Sequence, residues 1–115
     1  MRLFFLLMFL PATVLASDFT TLQGDAPLAR EEVITLTERH LLEFYEGGQS
    51  RYSAGGSYSY TYRGGSTSFG QFDIGPDGVI CVAFNNGRER CDQFVHSHGR
   101  LVMITQSGDR FPIRP

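Results

Sequence analysis

The chain has 115 residues, 42% of them hydrophobic and 19% charged, with ten basic against twelve acidic side chains and a net charge of −2. That length holds one domain, and the acidic balance argues against general nucleic-acid binding, which needs a basic surface. Two cysteines allow at most one disulfide, and 13 glycines in a chain without tryptophan point to many tight turns.

Residues 1–16 carry one arginine, then an apolar run from Leu3 to Leu10, then Val14 and Ala16 at the positions a leader peptidase reads. The pattern predicts a secretory signal peptide cut after Ala16. A membrane anchor is the competing reading, but spanning takes about 20 apolar residues, and Pro11 breaks this run. No cysteine follows the run to accept a lipid, and no later segment is apolar enough to cross a bilayer, so the mature chain is expected to be free of stable membrane insertion. Losing Arg2 with the leader leaves nine arginines against twelve acids, a net charge of −3.

Residues 17–26 are polar and aperiodic and read as a flexible lead, followed by one small domain over residues 27–115. Pro27 to about Thr37 reads as a helix: Pro27 suits a first-turn position, Glu31 and Glu32 face the positive end of the dipole, and Leu28, Val33, Ile34 and Leu36 supply an apolar face. Residues 38–46 fit either a continued helix or a strand running into the turn at Gly47-Gly48. Glycines at 47-48, 55-56, 64-65, 75 with 78, 87, 99 and 108 favour the strand. Turns at such regular spacing, with short Tyr, Phe, Val and Ile runs between, mark an all-β meander or barrel.

The strands expected are Leu41–Tyr45, Ser50–Ser53, Ser57–Arg63, Thr67–Ile74, Val79–Phe84, Glu89–His96, Leu101–Thr105 and Arg110–Ile113. Short connections make successive strands antiparallel neighbours. The expected fold is therefore mainly β with one short N-terminal helix, an antiparallel meander or small open barrel.

The stretch Ile80 to Asp92 is the most informative. A two-residue turn at Asn86-Gly87 would set Val82 opposite Cys91 and turn the sulfurs to opposite faces. A three-residue loop, Asn85-Asn86-Gly87 with Gly87 left-handed, sets Cys81 opposite Cys91. Counting outward from a closing pair of Phe84 and Arg88, the cysteines fall on a non-hydrogen-bonded pair, whose Cα atoms stand about 4.5 Å apart. A cross-strand disulfide between Cys81 and Cys91 is expected, as suits an oxidising compartment.

Other chemistry is sparse. His96 and His98 at i and i+2, with Asp92 nearby, are weak metal candidates, set against a hairpin tip where polar residues gather for solubility. No Gly-x-Ser-x-Gly elbow is present, and Glu31 and Glu32, about 100° apart on a helix, do not form a carboxylate pair. Gly55-Gly56-Ser57 and Gly64-Gly65-Ser66 precede strands, not the helix N-terminus a phosphate loop needs. No enzyme signature results and no cofactor is expected. Tyr58, Tyr60 and Tyr62 alternate with polar residues and place three rings on one face, either a contact surface or a packed core. Charge is uneven: residues 17–87 carry four arginines and nine acids, whereas residues 88–115 carry five arginines and three acids. Arg88, Arg90, Arg100, Arg110 and Arg114 offer an end for an anionic ligand, or a solvated surface.

The leader, the Leu28 to Val33 opening, the aromatic and glycine meander through Tyr52, Gly56 and Tyr60, Asp77-Gly78-Val79-Ile80-Cys81, Arg90-Cys91-Asp92 and Gly108 to Ile113 together resemble an uncharacterised family of small exported bacterial proteins of proteobacterial type. The resemblance implies location and fold, and no activity. A narrower similarity is to periplasmic lysozyme inhibitors of the small β-barrel kind, whose binding segment reads Ser-Gly-x-x-Tyr. Gly55-Gly56-Ser57-Tyr58 matches, with Ala54 in place of the serine. The expectation is a non-enzymatic accessory or binding protein of the envelope, periplasmic or secreted, that meets another envelope protein or an anionic ligand. Tyr58, Tyr60, Tyr62, Arg88 and Arg90 are its contact residues, and hydrolase inhibition or metal binding at His96 and His98 are the alternatives.

Overall fold

The computed structural model describes residues 19–115. The leader expected over residues 1–16 lies outside them. In chain order the elements are β1 (Asp25–Pro27), α1 (Arg30–Thr37), β2 (Leu41–Glu43), β3 (Gln49–Tyr52), β4 (Ser57–Thr61), β5 (Thr67–Ile74), β6 (Ile80–Phe84), β7 (Glu89–Ser97), β8 (Arg100–Thr105) and β9 (Arg110–Pro112). Strands β2 to β9 pair antiparallel in sequence order. The sheet curls until its edges meet in a short seam: Phe44 bridges Ile113, the Tyr45 N–H donates to the Pro112 carbonyl, and the Arg114 N–H donates to the Glu43 carbonyl. The structure is thus the expected antiparallel meander, curled into a half-barrel-like form whose edges touch only at this seam.

The period-2 pattern sorts side chains by face. Leu42, Phe44, Tyr52, Tyr58, Tyr60, Ile80, Val82, Phe94, Met103 and Ile113 fill the inside with Leu28, Val33 and Leu36 from the helical segment. Gly70 of β5 is buried, and a Cβ there would stand 2.4 Å from the Ala83 carbonyl oxygen, so no other residue fits without a backbone shift.

Helix α1 covers one end of the barrel. Its N-terminus has no side-chain acceptor at Ala29, but the Glu32 carboxylate accepts the Ala29 N–H at 2.8 Å, and Glu31 and Glu32 sit at the favourable end of the dipole. The β5–β6 turn packs on the helix entry: Gly78, at φ +85°, lies so close that a Cβ would stand 2.8 Å from the Leu28 carbonyl. The helix stops at Thr37, and His40 takes a positive φ of 68° before β2 begins, so residues 41–43 are strand and not continued helix.

The start of the domain differs from expectation. Residues 25–27 form β1 on the second half of β7, with Asp25 opposite Ser97 and Pro27 opposite Val95, so the expected flexible lead is ordered at its end and Pro27 belongs to a strand. Strand β7 has room because β6 pairs only with its first half, Glu89 to Asp92. Phe19 packs on Val95, Val102 and Ile104, an apolar patch on the outer face. The Asp25 carboxylate receives two hydrogen bonds from Arg110, at 2.8 and 2.9 Å. That guanidinium holds the Asp25 carboxyl well below the usual carboxylate range.

The β6–β7 hairpin closes through a three-residue loop. Phe84 donates to the Arg88 carbonyl at 2.8 Å, Gly87 has φ +91°, and the Asn86 side chain accepts the Arg88 N–H. Cys81 therefore faces Cys91 and the two are disulfide-bonded, with Cα atoms 4.0 Å apart.

Candidate functional site

Tyr62 follows the end of β4 and stays half exposed, whereas alternation along β4 turns Tyr58 and Tyr60 to the inside and alternation along β7 does the same for Arg90 and Asp92. Strands β4 and β7 are separated by β5 and β6 along the sheet, yet curling brings these residues together across the interior. The Arg90 Nη2 donates to the Tyr58 hydroxyl at 2.7 Å, and the Tyr58 hydroxyl shares a hydrogen bond with Ser50 at 2.8 Å. The Arg90 Nε and Nη2 clasp the Asp92 carboxylate at 2.9 to 3.1 Å. The guanidinium carbon lies 5.4 Å from the Tyr60 ring centre, 5.6 Å from Phe84 and 5.8 Å from Tyr58, an aromatic enclosure suited to a cation.

Asp92 is fully enclosed, whereas the Arg90 side chain keeps 23% of its surface exposed. Burial pushes the Asp92 carboxyl up, and Arg90 pulls it back. Burial also works against the charge of Arg90, but Asp92 and the Tyr58 hydroxyl outweigh that and hold it firmly protonated. Burial raises the Tyr52 and Tyr58 hydroxyls as well, so both rings stay neutral. The Tyr52 hydroxyl has no hydrogen-bond partner among the described residues.

Above Arg90 the end of the barrel away from α1 opens into a cavity of about 370 Å³, lined by Tyr60, Tyr62, Glu89, Arg90, Met103, Thr105, Gln106, Ser107, Asp109 and Phe111. Tyr60 and Tyr62 meet edge to face at 4.9 Å, and Tyr62 is 47% exposed at the rim. The Tyr60 hydroxyl donates to Glu46 at 3.0 Å over Gly48, where a Cβ would stand 2.0 Å from that oxygen. The mouth thus combines an apolar wall, a polar rim and one held cation at its floor, the usual composition of a small-ligand or side-chain pocket. A larger groove of about 450 Å³ runs between α1 and β8, lined by Leu28, Glu31, Leu36, Arg39 and His96 among others, but no buried polar group serves it.

The expected contact residues are therefore divided. Tyr58 and Tyr60, 2% and 6% exposed, are interior and cannot form an open contact face; the alternating pattern marks the lumen, not the surface. Tyr62 and Arg90 reach the mouth, and Arg88 stands exposed beside it. Asp92 is committed to Arg90. His96 lies on the α1 groove, and His98 forms the two-residue turn with Gly99, at φ 50° and 83°, its ring lying over Gly24. The strand ends at Ser97, so the two imidazoles do not share a face, and no cluster of three metal-ligating side chains occurs among the described residues. The Gly55 to Tyr58 segment stands at the helix-covered end with its tyrosine inside. Sequence reasoning missed Met103, Asp109 and Phe111 as mouth residues, and Glu46 as the acceptor of the Tyr60 hydroxyl. Arg90-x-Asp92, opposite charges at strand spacing, was the one available signal for the buried pair.

No family model, no curated protein and no solved structure matches this chain.

Proposed function

We propose that this is a non-enzymatic, exported accessory or binding protein of the bacterial envelope, of the family of small exported proteins its motifs resemble, and that the barrel mouth is its binding end. The observation that carries this reading is Arg90, whose charge is held at the base of an aromatic-walled cavity by a buried carboxylate while part of it faces the opening. A fixed cation among rings, with a polar rim above, recognises a partner group by shape and hydrogen bonding without any reacting side chain. The Cys81–Cys91 disulfide supports export, since such bonds persist in oxidising compartments. No helix among the described residues is long and apolar enough to cross a membrane.

The test is capture from native envelope extract with wild-type protein, Tyr62→Glu at the rim, and Phe69→Glu on β5, whose exposed ring does not line the mouth. A partner or ligand held by wild type and by Phe69→Glu but lost with Tyr62→Glu supports the reading. Equal retention by all three removes the mouth as the binding end.

A further inference from the structure

On the outer face beside the seam, two arginines are set against each other. Strands β8 and β9 pair Val102 with Pro112, and the Ile113 N–H donates to the Leu101 carbonyl, which continues the same register and sets Arg100 opposite Arg114. Like charges directly opposed across an antiparallel pair oppose folding. Both guanidinia lean on one exposed ring: their central carbons lie 5.8 and 4.6 Å from the centre of Tyr45. The ring offsets part of the repulsion through cation–π attraction but brings no negative charge. Among the described residues, neither arginine has a carboxylate within ion-pair distance, whereas Arg90 and Arg110 are each matched to a buried one. Glu43, next to Arg114 across the seam, instead accepts from the Gln49 side chain at 3.5 Å.

We infer that Arg100, Arg114 and Tyr45 form a site for a phosphate group. Two unneutralised guanidinia side by side call for a dianion with several acceptor oxygens, which a phosphate monoester supplies and a single carboxylate does not. The Tyr45 hydroxyl adds a donor of its own. The phosphate is either free in solution or the headgroup of a lipid, and the two sources share this chemistry. The site lies on the outside of the barrel and does not depend on the mouth reading.

The experiment uses the full mature chain, with Arg100→Gln/Arg114→Gln as the test variant and Arg51→Gln, an exposed arginine on β3, as the control. Inorganic phosphate is titrated against chloride at matched ionic strength and followed by backbone amide shifts. In parallel, phosphatidylcholine vesicles with and without phosphatidic acid are tested by flotation. Shifts centred on residues 45, 100 and 114, weakened at least tenfold in the double variant and unchanged in Arg51→Gln, assign a phosphate site with free phosphate as ligand. Flotation that needs both phosphatidic acid and the two arginines, without a phosphate titration, assigns the lipid headgroup. No binding in either arm, or binding that survives the double substitution, overturns the inference.

Discussion

Arg90 and Asp92 sit two residues apart on one strand and face the same way, which lets one guanidinium clasp one carboxylate with no help from another element. Asp92 is fully enclosed while Arg90 is partly exposed, so the carboxylate is the member that depends on its partner. Removing Arg90 leaves an uncompensated charge in an apolar lumen, at a cost of about 3 to 5 kcal/mol, whereas replacing both by apolar residues of similar volume is close to neutral. Arg90→Met should therefore lower the unfolding free energy by that amount in urea denaturation, and Arg90→Met/Asp92→Leu should recover most of it. Asp25 is a second case, with a different pH signature. Its folded carboxyl is held low by Arg110, so the stabilisation is present at neutral pH and is lost as pH falls from about 4 through the depressed value. Asp25→Asn should melt at lower temperature than wild type at pH 7, and the gap should narrow steadily as pH falls below about 4. A gap that stays constant with pH would contradict the assigned role. The Arg-x-Asp spacing could be read from the chain, but the burial that gives it weight could not, because burial comes from strands far away in sequence.

At the level of elements, the best-determined unit is the β6–β7 hairpin. Its loop length, the left-handed glycine and the two sulfurs constrain one another locally, so its register was legible without any tertiary information. The eight strands expected after residue 40 all form, because glycine turns at steady spacing leave little room for another arrangement. Strand β1 was hidden for the opposite reason. Asp25-Ala26-Pro27 has no alternation, and it becomes a strand only because β7 outruns β6 and offers an unpaired edge some 70 residues away. The disulfide spans a sequence separation of 10, so the chain-entropy model assigns it about 2 to 3 kcal/mol. Cys81→Ser/Cys91→Ser should lose that amount in denaturant unfolding, with the circular dichroism of the native state unchanged. A double variant as stable as wild type would show that the hairpin needs no staple.

Taken as one body, the molecule is a half-barrel with unlike ends. Helix α1 and the β3–β4 and β5–β6 turns occupy one end, and the cavity above Arg90 opens at the other. The mouth was not legible in the sequence, because Tyr60, Arg90, Met103 and Phe111 belong to four different strands and meet only once the sheet has curled. The same curling moved Tyr58 and Tyr60 from the surface that alternation left open to the interior.

The most direct measurement is photocrosslinking in cells from a benzoylphenylalanine placed at position 62 in the mouth, with position 69 on the outer face as the comparison. If the mouth is the binding end, position 62 yields a discrete adduct that disappears when Arg90→Met/Asp92→Leu empties the floor of its charge, and position 69 yields none. Adducts of equal yield at both positions, or at 69 alone, would contradict it.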